Sequence, residues 1–372
     1  MTSFVIQGWC PGALRPMMSG DGLVVRIRPR MARLTAAQAQ GIARAALTHG
    51  NGLIDLTARA NVQLRGIRPE SHLALLDDLA ALDLLDSHEA LERHRNLTIS
   101  PFWTGDGWEP LANAVTTLLT SDEFFNLSSK FGVSLDLAQL MVLQDVASDI
   151  RIEWHSNGWL IRPDGFVTGA VVQDVAQATI ALRRLLRWFL ERGITEGRGR
   201  MAALAGQDLP HGFDQPMTPA SHKPAPGRHP LGQLVGLEFG QIRAETLAAL
   251  ANSAIRITPW RMILIEGTRA ALDLPGLITN PDDPLLNVTA CTGAPFCPQA
   301  LQPTRDLARR LAPQVPQGRH LHVSGCAKGC AHPAPADVTL CATPQGFELI
   351  RQGRASDPGL GPFTATPLFK AT

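Results

Sequence analysis

Residues 53–67 read LIDLTARANVQLRGI and residues 254–267 read AIRITPWRMILIEG. Laid side by side, Leu53-Ile54-Asp55-Leu56-Thr57 falls on Ala254-Ile255-Arg256-Ile257-Thr258, and Val62 and Leu64 fall on Ile263 and Ile265. Apolar and polar residues alternate in both stretches, as expected of strands that bury one face. The flanks repeat too. Before the first copy stand an alternating strand, GLVVRIRP (22–29), and a helix with Thr35 and Gln38 at capping-box spacing and Gly50 at its end. Before the second copy stand LGQLVGLEFG and a helical IRAETLAALANS in the same order. Repetition of a whole strand–helix–strand unit reads as an internal duplication.

The copies are separated by GQDLPHGFDQPMTPASHKPAPGRHPLG (206–232), where proline and glycine punctuate a stretch without hydrophobic period. Each half continues into a second unit. The first has a strand in KFGVSLD (130–136) and a long amphipathic helix over about residues 172 to 191, and the second carries most of the cysteines. In that helix, RRLLRWFLERG from Arg183 reads as a solvated basic face over a buried Leu/Trp/Phe stripe. Two related α+β halves are the simplest architecture.

At 372 residues the chain exceeds one ordinary core. Its 34 basic and 33 acidic side chains nearly cancel, so no global field draws it to nucleic acid or an anionic membrane. The N-terminus has no basic segment leading into an apolar one, and no apolar run is long enough for a bilayer. The expected location is the cytoplasm, where disulfides are disfavoured. Four of the six cysteines nevertheless crowd into the stretch 291–330.

Cys291 and Cys297 lie in ACTGAPFCPQA, and Cys326 and Cys330 in HVSGCAKGCAHP, giving C-x5-C, a gap of 28 residues, then C-x3-C. Four soft ligands in two pairs suit zinc or an iron–sulfur cluster, with unligated core cysteines as the plain alternative. The wide first loop, with Gly293 and Pro295, matches the corners of a cubane better than a tight zinc knuckle. Gly325 and Gly329 would let backbone N–H groups approach the sulfides, and Lys328 must lie near any such cluster. Cys10 and Cys341 have no partner at ligand spacing and read as small buried residues.

This cysteine pattern on a duplicated α+β scaffold resembles the sulfite and nitrite reductase superfamily, over nearly the whole chain. The resemblance implies two ferredoxin-like half-domains (1–85 and 231–280), a sirohaem-domain-like α/β unit (86–205), a Pro-rich linker (206–230) and a 4Fe-4S-binding unit (281–372). Within the superfamily, CPGALRPMMSGDGLVVRIRP and HVSGCAKGCAHPAPADVTL are similar to the precorrin-3B synthases of aerobic cobalamin biosynthesis. Reductases usually carry Arg-Lys-Phe-Lys in an active-site loop, whereas Ser129-Lys130-Phe131-Gly132 stands here, with one basic side chain of three. They usually read Pro-Asn-Ser between the last two cysteines, where this chain has Ala327-Lys328-Gly329.

The resemblance implies that precorrin-3A sits where the reductases hold sirohaem. It would be hydroxylated with dioxygen and closed to a γ-lactone, with NADH-derived electrons delivered by a donor protein through the 4Fe-4S cluster. A mononuclear non-haem iron is associated with that family for activating dioxygen. The rival readings are a sirohaem-dependent nitrite or sulfite reductase and a non-catalytic metal-binding scaffold.

A polycarboxylate ligand calls for guanidinium forks. Arg26 and Arg28 share one strand face, while Asn61, Gln63 and Arg65 alternate with Val62 and Leu64. Arg59 stands in the Thr-x-Arg pattern that contacts tetrapyrrole carboxylates in the reductases, and Lys130 matches a catalytic lysine there. Arg26, Arg28, Arg59, Asn61 and Arg65 are therefore the candidate substrate wall. His155, His320, His322 and His332 are candidate iron ligands, with His320 and His322 two apart on one strand face; spacing alone yields no facial triad.

Overall fold

The duplication takes the form of two sheets that trade strands. The computed structural model describes residues 10–193, 199–219, 222–269, 272–364 and 368–369. In chain order the first unit contains β1 (Met17–Ser19), β2 (Gly22–Ile27), β3 (Arg33–Leu34), α1 (Ala36–His49), β4 (Leu53–Leu56), β5 (Val62–Ile67), α2 (His72–Ala81) and α3 (Glu89–His94). It is followed by β6 (Leu97–Ile99), α4 (Trp108–Leu119), β7 (Val133–Asp136), β8 (Ile150–His155), β9 (Gly158–Pro163), β10 (Thr168–Val172) and α5 (Val175–Arg192). The repeat runs through β11 (Gln215–Pro216), β12 (Gly227–His229), β13 (Gly232–Leu237), β14 (Gln241–Arg243), α6 (Ala244–Leu250), β15 (Ile255–Ile257), β16 (Met262–Glu266) and β17 (Leu277–Ile278). The last unit holds β18 (Val288–Ala290), α7 (Arg305–Leu311), β19 (Leu321–Ser324), β20 (Ala336–Thr343) and β21 (Gly346–Gly353).

One sheet has the order β1-β2-β5-β4-β14 and its counterpart β12-β13-β16-β15-β3. The registers coincide: Ile54 faces Leu64 in one, and Ile255 faces Ile265 in the other. Each sheet closes its edge with a strand of the other half. Ile242 pairs with Ile54, and Leu34 pairs with Ile255. One apolar core, from Val25 and Leu64 to Val235 and Ile265, therefore spans both copies. The capping box predicted at the start of α1 is present, with Thr35 and Gln38 bonding reciprocally. Turns repeat as well: Ala60 and Arg261, at equivalent positions, both take the left-handed conformation, with φ of 54° and 60°.

The two copies reverse a charge pair. Arg65 Nη1 lies 3.4 Å from Asp55 in the first, and at the equivalent positions Arg256 Nε lies 2.6 Å from Glu266 in the second.

The second units also match. The order β9-β8-β7-β6 is repeated as β21-β20-β19-β18, with the last two pairings of each set parallel. β7 is buried at every position, and α5 packs Leu182, Leu185, Leu186 and Phe189 inward while Arg183 and Arg187 reach Glu123. The proline-rich connection is not bare chain, since β11 pairs with β10 and β12 forms a hairpin with β13. Among the described residues no helix is long and apolar enough to cross a membrane.

Candidate functional site

Cys291 follows β18 and Cys326 follows β19 two residues on, so both cysteine loops spring from carboxyl ends of adjacent parallel strands, the edge where open α/β sheets bind ligands. The loops are laced together. Cys291 N–H donates to the Val323 carbonyl at 2.9 Å, and Leu301 N–H to that of Gly325 at 2.8 Å. Gly325 has to be glycine for this approach, because a Cβ there would stand 2.8 Å from Ala300 Cβ. Burial pushes the Cys330 thiol up to about 11, and Cys291, Cys326 and Cys297 add to the rise. Cys326 is raised in the same way, by burial first and then by Cys291 and Cys297. The four sulfurs thus share one electrostatic neighbourhood. None is in a disulfide.

Among the described residues no three His, Cys, Asp or Glu side chains converge as a single metal ion requires. A polynuclear centre spreads its thiolates over separate corners, and a set of four cysteines on two glycine-bearing loops fits that demand. The same observation leaves the expected mononuclear iron without a preformed ligand set. His155 Nδ1 accepts from Asn157 within its own hairpin, while His320 and His322 both pack on His332, with ring centroids 4.6 and 5.6 Å apart. Cys341, read from spacing as a small buried residue, is buried, and that burial raises its pKa first, with Cys326, Glu348 and Cys291 adding to it.

The Cys297 loop rests on the first half of the chain. The Phe296 carbonyl accepts from Gly20 N–H at 3.0 Å, Ser19 Oγ at 2.7 Å and Arg65 Nη2 at 3.3 Å. Arg65 also grips Asp21 through two bonds of 2.7 and 3.0 Å. Sequence spacing groups Arg65 with Asn61 and Gln63 as a substrate contact. The structure instead engages its guanidinium with two acids and the cysteine loop, as a clamp between halves.

Arg26 lies on β2 and Arg28 just past its end, and their surroundings differ. Arg28 stands 3.2 Å from Glu92, and burial pulls its pKa down to about 10. Glu92 also accepts the N–H groups of Ala13 and Leu14, which anchors the CPGAL segment beneath the wall. Arg28, Asn61 and Arg95 line a pocket of about 230 Å³. Arg26 is backed by Gln63, which accepts from Nε and Nη2 at 3.3 and 3.1 Å when its amide oxygen faces inward.

Thr57 explains the Thr-x-Arg pattern. Its Oγ1 accepts the N–H groups of Arg59 and Asn61 at 3.2 and 3.1 Å, fixing the β4–β5 turn that presents Arg59. Arg59 Nη2 then donates to the Lys130 carbonyl at 2.6 Å, and the Lys130 side chain is exposed. Arg26 and Arg59 are each depressed chiefly by burial, with Cys10 the largest opposing influence, and Cys10 is half-buried rather than in an inert core.

Sequence reasoning missed Arg261. It occupies the second copy's version of the Arg59 turn and is depressed by burial, with Cys291 the largest opposing influence; Nη2 donates to the Ala331 carbonyl at 2.9 Å. Carrying the alignment of residues 53–57 with 254–258 through to residue 261 would have found it.

A family model described as the nitrite/sulfite reductase ferredoxin-like half domain matches residues 15–82. A precorrin-3B synthase of a Sinorhizobium species is 30% identical over 94% of this chain and 84% of its own length. The chain belongs to the precorrin-3B synthase family. In this synthase-family chain the reductase kinship remains visible at greater distance. The ferredoxin–nitrite reductase of Synechococcus elongatus is 26% identical, over 88% of this chain and 77% of its own. The fold is that of the NirA protein of Mycobacterium tuberculosis, with a TM-score of 0.60 at 18% identity, covering 94% of this chain and 77% of that one.

Proposed function

We propose that this chain carries out the precorrin-3B synthase reaction, the oxygen-dependent hydroxylation of precorrin-3A with closure of a γ-lactone. Electrons from an NADH-derived supply would arrive through a donor protein and a 4Fe-4S cluster on Cys291, Cys297, Cys326 and Cys330. The observation that carries the reading is a set of cations. Arg26, Arg59 and Arg261 have no carboxylate within salt-bridge distance among the described residues, although burial depresses all three. Desolvated guanidiniums without an acid partner are suited to a ligand that brings its own carboxylates, as a precorrin does.

When bound, the cluster would supply one-electron transfer close to the substrate. The rest falls to the chain. Arg26 and Arg59, braced by Gln63 and Thr57, would orient acetate and propionate groups, and Asn61 would add a neutral donor beside Arg59. Lys130 is proposed as the contact that survives from the reductases' basic loop. With that loop reduced to one basic side chain, repeated proton delivery to sulfite or nitrite is poorly supported. No step is assigned to a second iron, because the described histidines form no ligand set for one.

The test is turnover of precorrin-3A by the reduced protein under oxygen-18 gas. Transfer of label to the tetrapyrrole supports the proposal. Reduction of nitrite or sulfite with no labelled product would replace it with the reductase reading.

A further inference from the structure

The geometry points to His322 as a positioning residue that donates its Nε2–H to the Cys291 sulfur and thereby sets the reduction potential of the metal centre. This inference rests on the cluster reading above. His322 lies on β19, fully buried, with Nε2 3.7 Å from Cys291 Sγ. A ligating cysteine is a thiolate and can only accept. Its other close side-chain neighbour, Ser324 Oγ at 3.5 Å, already donates to the Cys326 carbonyl at 2.7 Å. The imidazole is left as the side-chain donor on this sulfur among the described residues.

The tautomer follows from the opposite edge of the ring. Nδ1 is buried without a partner. A proton on Nδ1 would bury an unpaired donor and set the Nε2 lone pair against a thiolate, whereas a proton on Nε2 makes a bond and leaves only a bare lone pair. The ring has little freedom to turn away. His332 packs on it edge-on at 5.6 Å, and a Cβ added to Gly329 would come within 3.6 Å of Cε1. An N–H bond to a cluster sulfur stabilises the reduced, more negative state, so this donor raises the potential.

The decisive measurement is pulsed EPR of the anaerobically purified, dithionite-reduced protein labelled with nitrogen-15 histidine. A histidine nitrogen coupling is expected in the native chain, lost in His322→Leu and kept in His332→Gln. The midpoint potential should fall in His322→Leu and return towards the native value in His322→Gln, whose amide N–H reaches the same region. A cluster with no histidine coupling in the native chain overturns the inference even if the leucine variant fails to fold. So does an unchanged potential in His322→Leu with full iron and sulfide. A native protein without iron and sulfide overturns both the inference and the cluster reading beneath it.

Discussion

Replacing Arg65 by methionine keeps much of the side-chain volume and removes the charge that pairs with Asp21 and Asp55 and donates to the Phe296 carbonyl of the second half. Arg65 and Asp21 expose only 7% and 4% of their side chains, and Asp55 exposes 13%. Stranding a buried acid by deleting its partner costs roughly 3–5 kcal/mol. Asp55 is cushioned, because Gln241 donates to it at 2.7 Å and Arg305 lies 3.7 Å away. Among the described residues Asp21 would keep the Asn51 amide at 3.0 Å as its side-chain partner, so the loss falls mainly there. The expected destabilisation is at the lower end, about 3 kcal/mol. The Cys297 loop also loses one of three donors on the Phe296 carbonyl. Urea denaturation followed by tryptophan fluorescence measures the first effect, and the bleaching of cluster absorbance in air measures the second. The double variant Asp21→Asn/Arg65→Met removes the stranded charge and should recover at least half of the loss. A single variant within about 1 kcal/mol of the native protein, as for an exposed pair, or a double variant no better than the single, would refute the clamp.

Gly20→Ala should loosen the same loop from the other side, since its Cβ would lie 2.3 Å from the Pro295 carbonyl oxygen; faster loss of cluster colour in air is the expected result, with an unchanged rate counting against the contact. Arg59→Ala should raise the Kd for precorrin-3A about tenfold to a hundredfold, from the roughly 1.5–3 kcal/mol of a charge-assisted hydrogen bond, as read by fluorescence quenching. Unchanged affinity would place Arg59 outside the binding wall. Burial lifts the Asp136 carboxyl from 3.8 to about 6 despite two backbone N–H donors. Its folded pKa lies above the unfolded one, so its contribution is fully present below about pH 4 and is lost as pH rises through about 6. Asp136→Asn should therefore gain stability relative to the native chain at neutral pH, by at most about 3 kcal/mol, and little at pH near 4. Denaturation midpoints at the two pH values decide it, and an equal difference at both would be the wrong answer.

How much of this was legible in the sequence depends on segment length and on what each face buries. The alignment of residues 53–57 with 254–258 was readable because both β4 and β15 alternate against a core, and their registers agree. The exchange of β3 and β14 was not, since strands of two and three residues carry no period. The β12–β13 hairpin lay concealed in GRHPLG, whose glycines and proline read as loop while Gly227 and Gly232 take positive φ in the paired strands. At the candidate site, cysteine spacing located the two loops, but no local pattern tells a guanidinium without an acid partner from one that has two. Arg26 and Arg65 look alike in sequence. Only the positions of Asp21 and Asp55, brought in from another turn and strand, separate them.

In the proposed reading, four cysteines carry an iron–sulfur cluster beside a tetrapyrrole site filled by substrate rather than sirohaem. An ultraviolet–visible spectrum of the anaerobically purified protein, taken with iron and acid-labile sulfide content, tests it most directly. The expected result is a broad violet shoulder without a Soret peak, with iron and sulfide in equal amounts that disappear in Cys326→Ser. A Soret peak with a companion band in the orange, or zinc in place of iron, would contradict it.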